Sequence, residues 1–130
     1  MGKPEYIAAQ AMSVIPRGQL TINSTAVVYS DHWTITRHRA FSLELLFDSD
    51  TDVNVKVELE QGNTLPAVLG SYSSDFVSTI NPIDTITDEN VHLYPMVPVV
   101  SVYARLKITG NTGNSVTTKL TRANWVEVED

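Results

Sequence analysis

The sequence predicts an all-β protein, an antiparallel β-sandwich of Greek-key or jelly-roll type, and three observations carry that prediction. Apolar residues recur with a period of two in several separate runs, the pattern of strands with one buried and one wet face. Glycine, asparagine and proline clusters punctuate those runs at short intervals. Helical periodicity is confined to one stretch near the N-terminus. An up-and-down β-barrel is the alternative that the same pattern allows.

The helical stretch is "EYIAAQAMSVI", residues 5–15, which Pro16 would end. It suits either a short helix or an extended arm. Residues 1–18 are therefore set apart as an N-terminal arm, and residues 19–130 as one sandwich domain, the size a single core supports. Strands are expected over residues 20–29 and 33–36. "AFSLELLF" turns Phe41, Leu43, Leu45 and Phe47 inward, and "VNVKVELE" does the same with Val53, Val55, Val57 and Leu59. Residues 67–70 and 76–80 are shorter candidates. "VVSVYARLKI" sets Val100, Val102, Ala104, Leu106 and Ile108 on one face; Val99, Ser101, Tyr103, Arg105 and Lys107 fall on the other, wet face. The last strand, residues 116–129, changes apolar parity near Trp125 and should bulge there. "NPID" and "YPMVP" carry prolines, which suit loops and edge strands but not central ones.

Net charge is −6 and is distributed unevenly. Residues 1–39 carry Lys3, Arg17, Arg37 and Arg39 against Glu5 and Asp31, a balance of +2. Residues 40–92 set Lys56 alone against ten carboxylates, a balance of −9, and residues 93–130 come to +1. The acidic middle argues against nucleic-acid binding. No run approaches the roughly 18 apolar residues of a membrane span, and the N-terminus lacks the apolar core of a signal peptide. Without cysteine, disulfides and thiolate metal sites are excluded.

Candidate sites are few. Asp48, Asp50 and Asp52 in "DSDTD" match the first ligand positions of a calcium loop. That pattern then requires Gly where Val53 stands and Glu where Leu59 stands, so a turn capped by aspartates is the better reading. His32 and His38 would lie about 20 Å apart along a strand, too far for one metal. Arg37 and Arg39 share a face at period two and, with Arg17, form the candidate partner-binding residues; guanidinium groups clamp carboxylates or phosphates, and charged residues also guard strand edges. Trp33 and Trp125, with Tyr29, Tyr72, Tyr94 and Tyr103, suit either the core or a sugar-stacking platform. No G-x-S-x-G, H-E-x-x-H, Walker loop or dinucleotide fingerprint occurs, so neither a catalytic residue nor a cofactor is assigned.

"VSVYARLKITGNTGNSVTTKLTRANW", residues 101–126, resembles the closing hairpin of small β-sandwich proteins in phage virions. The motif is an aromatic–x–Arg–apolar–Lys–apolar strand (Tyr103, Arg105, Leu106, Lys107, Ile108) before a Gly/Asn turn over residues 110–115. Similar hairpins occur in carbohydrate-binding and discoidin-like sandwiches. The resemblance implies a non-enzymatic virion component assembled in the cytoplasm of a bacterial host, foremost a capsid decoration (cement) protein. Its partners would be the major capsid protein and further copies of itself, as a homotrimer. The basic arm of one copy would meet the acidic middle of the next in a heterologous ring. The alternative function is a carbohydrate- or receptor-binding module such as a tail-fibre head, which requires Trp33 or Trp125 to lie flat on the surface.

Overall fold

The computed structural model of the protein describes residues 5–6, 12–14, 20–35, 40–49, 52–63, 79–99, 101–111 and 116–129. They form eleven strands: β1 (Glu5–Tyr6), β2 (Met12–Ser13), β3 (Leu20–Asn23), β4 (Val27–Tyr29), β5 (Trp33–Thr34), β6 (Ala40–Ser49), β7 (Val55–Gly62), β8 (Thr79–Ile86), β9 (His92–Pro98), β10 (Tyr103–Gly110) and β11 (Thr117–Glu129). No helix occurs among the described residues.

Sheet one runs β1–β11–β6–β9, with β2 and β3 also pairing along β11; sheet two runs β4–β10–β7–β8, with β5 also on β10. Every pairing is antiparallel. Only β7 and β8 are both sequential and paired among the described residues, so the chain crosses between sheets as a sandwich requires. That disposes of the up-and-down barrel, whose neighbours would be consecutive.

The alternation over 41–47 and 53–59 is realised: Phe41, Leu43, Leu45 and Phe47 of β6, and Val55, Val57 and Leu59 of β7, are buried. Ala104, Leu106 and Ile108 of β10, with Leu120, Ala123 and Trp125 of β11, complete the two inner faces. At one end Trp33 stacks on Trp125 at 5.8 Å, and Phe41 meets Trp33 edge-on at 5.4 Å.

Of the two readings of the N-terminal stretch, the extended one holds where it is described, because β1 and β2 hydrogen-bond to β11. Three expectations are corrected. Residues 20–29 form two strands in different sheets, joined by a turn in which Ser24 takes φ 54°. That turn is seated on both sheets: Ser24 N–H donates to Val116 O (2.7 Å), and Gly110 N–H donates to Ala26 O (3.0 Å). A side chain at Gly110 would collide with the Ser24 carbonyl, which explains the glycine. The β11 irregularity lies between Leu120 and Arg122, nearer the start of the strand than expected, and Thr121 Oγ1 there donates to Leu46 O (3.2 Å). Val102, expected inward, is exposed before β10 begins.

The prolines behave as edge residues should. Pro82 lies in β8 and Pro95 and Pro98 in β9, which end the two sheets on the same side. The pairings they interrupt shift register, between Val57 and Glu58 opposite β8 and between Phe41 and Leu43 opposite β9.

Candidate functional site

The residues singled out from sequence do not converge. Asp48 is exposed in β6 directly opposite Lys119 of β11, so it belongs to a strand pair and not to a turn. Asp52 is exposed, Asp50 lies outside the described residues, and no group of three or more His, Asp or Glu among the described residues could hold a metal. Arg17, Arg37, Arg39, His38 and Tyr72 also lie outside the described residues. His32 packs edge-on to Tyr103 with centroids 6.4 Å apart. Both tryptophans are in the core, so no flat tryptophan platform faces solvent.

Arg105 departs furthest from its expected place. Its side chain, on the face predicted to be wet, is 4% exposed. β10 pairs with β7 so that Arg105 stands opposite Glu60, and Arg105 Nε–H donates to Glu60 Oε1 at 2.8 Å. The guanidinium lies 4.0 Å from the Tyr29 ring centroid, a cation–π contact from β4. Nearby, Ser30 Oγ accepts from Leu106 N–H at 2.9 Å. Together these groups fasten β4 and Ser30 to β10. With its fork shared between a carboxylate and a ring, Arg105 is a structural clasp.

The other side of the sandwich differs in kind. β8 and β9 end their sheets there and are joined by residues 87–91. The junction is organised by carboxylates. Asp88 Oδ1 accepts from Asn90 N–H (2.9 Å) and contacts His92 Nε2 (2.8 Å). The Asn90 amide first, and then the imidazole, hold the Asp88 carboxyl below its ordinary value. Glu89 Oε1 accepts from Ser49 N–H at 3.2 Å, tying the turn to the end of β6. Across the sheets, Tyr94 O–H donates to Asp84 Oδ2 at 2.7 Å, and the His92 and Tyr94 rings stack at 6.4 Å. Burial pushes the Tyr94 hydroxyl upward, reinforced by that bond and by the charges of Asp84 and Asp88.

Beside this cluster is a hollow of about 330 Å³, formed between Pro82–Ile83 of β8 and residues 94–98 of β9. Met96 lines the hollow and is exposed, and Val91 and Leu93 farther along the same edge are exposed too, Leu93 at 61%. An apolar edge strip framed by Asp84, Asp88 and Glu89 suits contact with another surface better than chemistry on a small molecule. Two signals for it stood in the sequence: the proline-spaced apolar run "LYPMVP", and the absence of any Lys or Arg between Lys56 and Arg105. No family model matches the chain, and no curated protein matches it in sequence.

Proposed function

We propose that the chain is a non-enzymatic structural protein of a phage particle, a capsid decoration protein that binds the outer capsid surface. The observation that carries the docking half of this reading is the β8–β9 edge, where Val91, Leu93 and Met96 face solvent beside a carboxylate-lined junction. Buried apolar contact supplies affinity at such a surface, and charge sets register and partner choice. The phage half rests on the likeness of residues 101–126 to virion sandwich hairpins. The capsid protein and further copies of this chain, in a trimer, are the partners. A sugar-binding module is disfavoured because Trp33 and Trp125, its best stacking residues, lie in the core.

Mass spectrometry of density-purified particles from a culture producing the chain is the direct test. The expected result is the chain in the particle fraction, in fixed ratio to the capsid protein. Finding it only among unassembled cell proteins would overturn the proposal.

A further inference from the structure

β8 and β9 leave a mouth between the two sheets. In β9, His92 and Tyr94 stand opposite Leu45 and Leu43 of β6, which turn inward, so both rings lie on the inner side of sheet one. In β8, Asp84 stands opposite the buried Val57, on the inner side of sheet two. The bond from Tyr94 to Asp84 therefore crosses from sheet to sheet at their shared edge. Beyond it, away from the 87–91 turn, lies the hollow between Pro82–Ile83 and residues 94–98. Its walls are mostly apolar, and Tyr94 is one of them.

The negative charge at this mouth has no cation set against it. Asp84 accepts from the Tyr94 hydroxyl and from Thr85 N–H (2.8 Å), both neutral donors. Among the described residues no Lys or Arg pairs with Asp84, Asp88 or Glu89. Elsewhere the same fold shows such a set completed: the Arg105 guanidinium is shared between the Glu60 carboxylate and the Tyr29 ring. A carboxylate and an aromatic ring recur at the β8–β9 mouth, beside an apolar hollow and without the guanidinium.

We infer that this hollow receives an arginine side chain of the partner protein, its aliphatic stem against Ile83 and Met96 and its guanidinium at Asp84 and Tyr94. Long cationic side chains bury their stems along apolar surface and keep the charged head at a polar rim. A guanidinium also stacks on a ring while it forks onto a carboxylate, whereas a lysine ammonium is a point charge. Val91 and Leu93, exposed along the same edge, meet the residues that flank the arginine. Backbone strand addition is opposed by Pro82, Pro95 and Pro98, so side chains make the contact. This deepens the docking role proposed above and rests on that reading, but its test needs no particle.

The probe is acetyl-arginine methylamide, titrated at millimolar concentration into the isotope-labelled chain and followed by amide chemical shifts. Saturable shifts are expected at Ile83, Asp84, Tyr94 and Met96. The citrulline analogue has the same shape without the charge and should leave them unmoved. The lysine analogue should bind about tenfold more weakly. Asp84→Asn retains an acceptor for the Tyr94 hydroxyl, so the fold should persist while the probe binds about tenfold more weakly. Met96→Lys sets a resident cation beside the hollow at an exposed position, and should abolish binding with the Tyr94–Asp84 bond intact.

Equal shifts with the citrulline analogue would reduce the site to an apolar hollow, and equal binding of the lysine analogue would remove the guanidinium. Either result overturns the inference. So do unsaturable shifts that extend to exposed carboxylates such as Asp31 and Asp48, the absence of any shift, or wild-type affinity in both variants. A chain found on particles that ignores the probe would lose this site and keep the structural role; a chain that binds the probe and is absent from particles would do the reverse.

Discussion

The two sides of this sandwich solve the problem of a sheet edge differently. The N-terminal side is built from five short strands, none longer than four residues, each leaning on part of β10 or β11. Strands that short contribute few ladder bonds, so the side depends on anchors: the β3–β4 turn across Gly110, Tyr29 over Arg105, and Ser30 on Leu106. The β8–β9 side has two longer strands of eight and seven residues and leaves apolar groups in solvent. One side is stitched to the body; the other presents a surface. Substitutions on the first should therefore reduce stability, and on the second should chiefly alter association.

The largest effect is expected at the clasp. Arg105→Met leaves Glu60 buried without its cation, and removing one partner of a buried pair costs about 3–5 kcal/mol. Adding Glu60→Leu should recover most of that loss, because two apolar side chains need no charge partner in the interior. Urea denaturation of the two variants measures this. If the double variant is no more stable than the single, packing against Tyr29 dominates and not the uncompensated charge.

Gly110→Ala should come next, at about 2 kcal/mol, because the added methyl meets the Ser24 carbonyl and the Ile22 side chain. The turn would be pushed from its seat, so amide exchange should accelerate at Ser24 and Ala26 while Tyr94 and its neighbours stay protected. Uniform acceleration across both sides would mean that the N-terminal side is not a separately fastened unit.

On the β8–β9 side, Tyr94→Phe removes the O–H that bridges to Asp84 and should cost about 1 kcal/mol. Its pH signature is more specific. The folded protein raises the Tyr94 hydroxyl above its ordinary value of 10.0, so the associated stability is present below pH 10 and declines as alkali ionises the group. The Phe variant should lose that part of the alkaline slope in melting temperature, and an unchanged slope would count against the bridge.

The division between sides explains what the sequence disclosed. Strict alternation over 41–47 and 53–59 reports a buried face, and Leu43, Leu45, Val55 and Val57 are where it puts them. Parity could not reveal the break in 20–29. Leu20 and Ile22 in one sheet and Val28 in the other share the same parity, and the turn between them contains neither Gly nor Pro. Alternation also names a face without saying whether anything covers it; Arg105 and Glu60 look wet in sequence because their pairing joins residues 45 apart. The acidic character of the middle was legible, but the meeting of Asp84, Asp88 and Glu89 at one junction was not, since that depends on β8 and β9 ending different sheets together.

The smallest effect should come from Asp88→Asn, and it bears directly on whether the β8–β9 junction stands alone. The Asp88 carboxyl is held below its ordinary value of 3.8 by the Asn90 amide and by His92. A depressed carboxyl contributes stability that is present above pH 3.8 and disappears as acid protonates it in the folded state. The Asn variant has no carboxyl to titrate, so the decline in melting temperature below pH 4 should be shallower than in wild type. Because the Asp88 side chain is 45% accessible and its bonds are local to residues 88–92, the change should be confined to that turn. Chemical shifts followed from pH 6 to pH 2 would show it. The backbone amide signals of Asn90 and His92 should lose the step that reports protonation of Asp88, while the amide signals of Ser24, Tyr29 and Arg105 should follow their wild-type course; a change at the N-terminal side would mean that the two edges are coupled through the core.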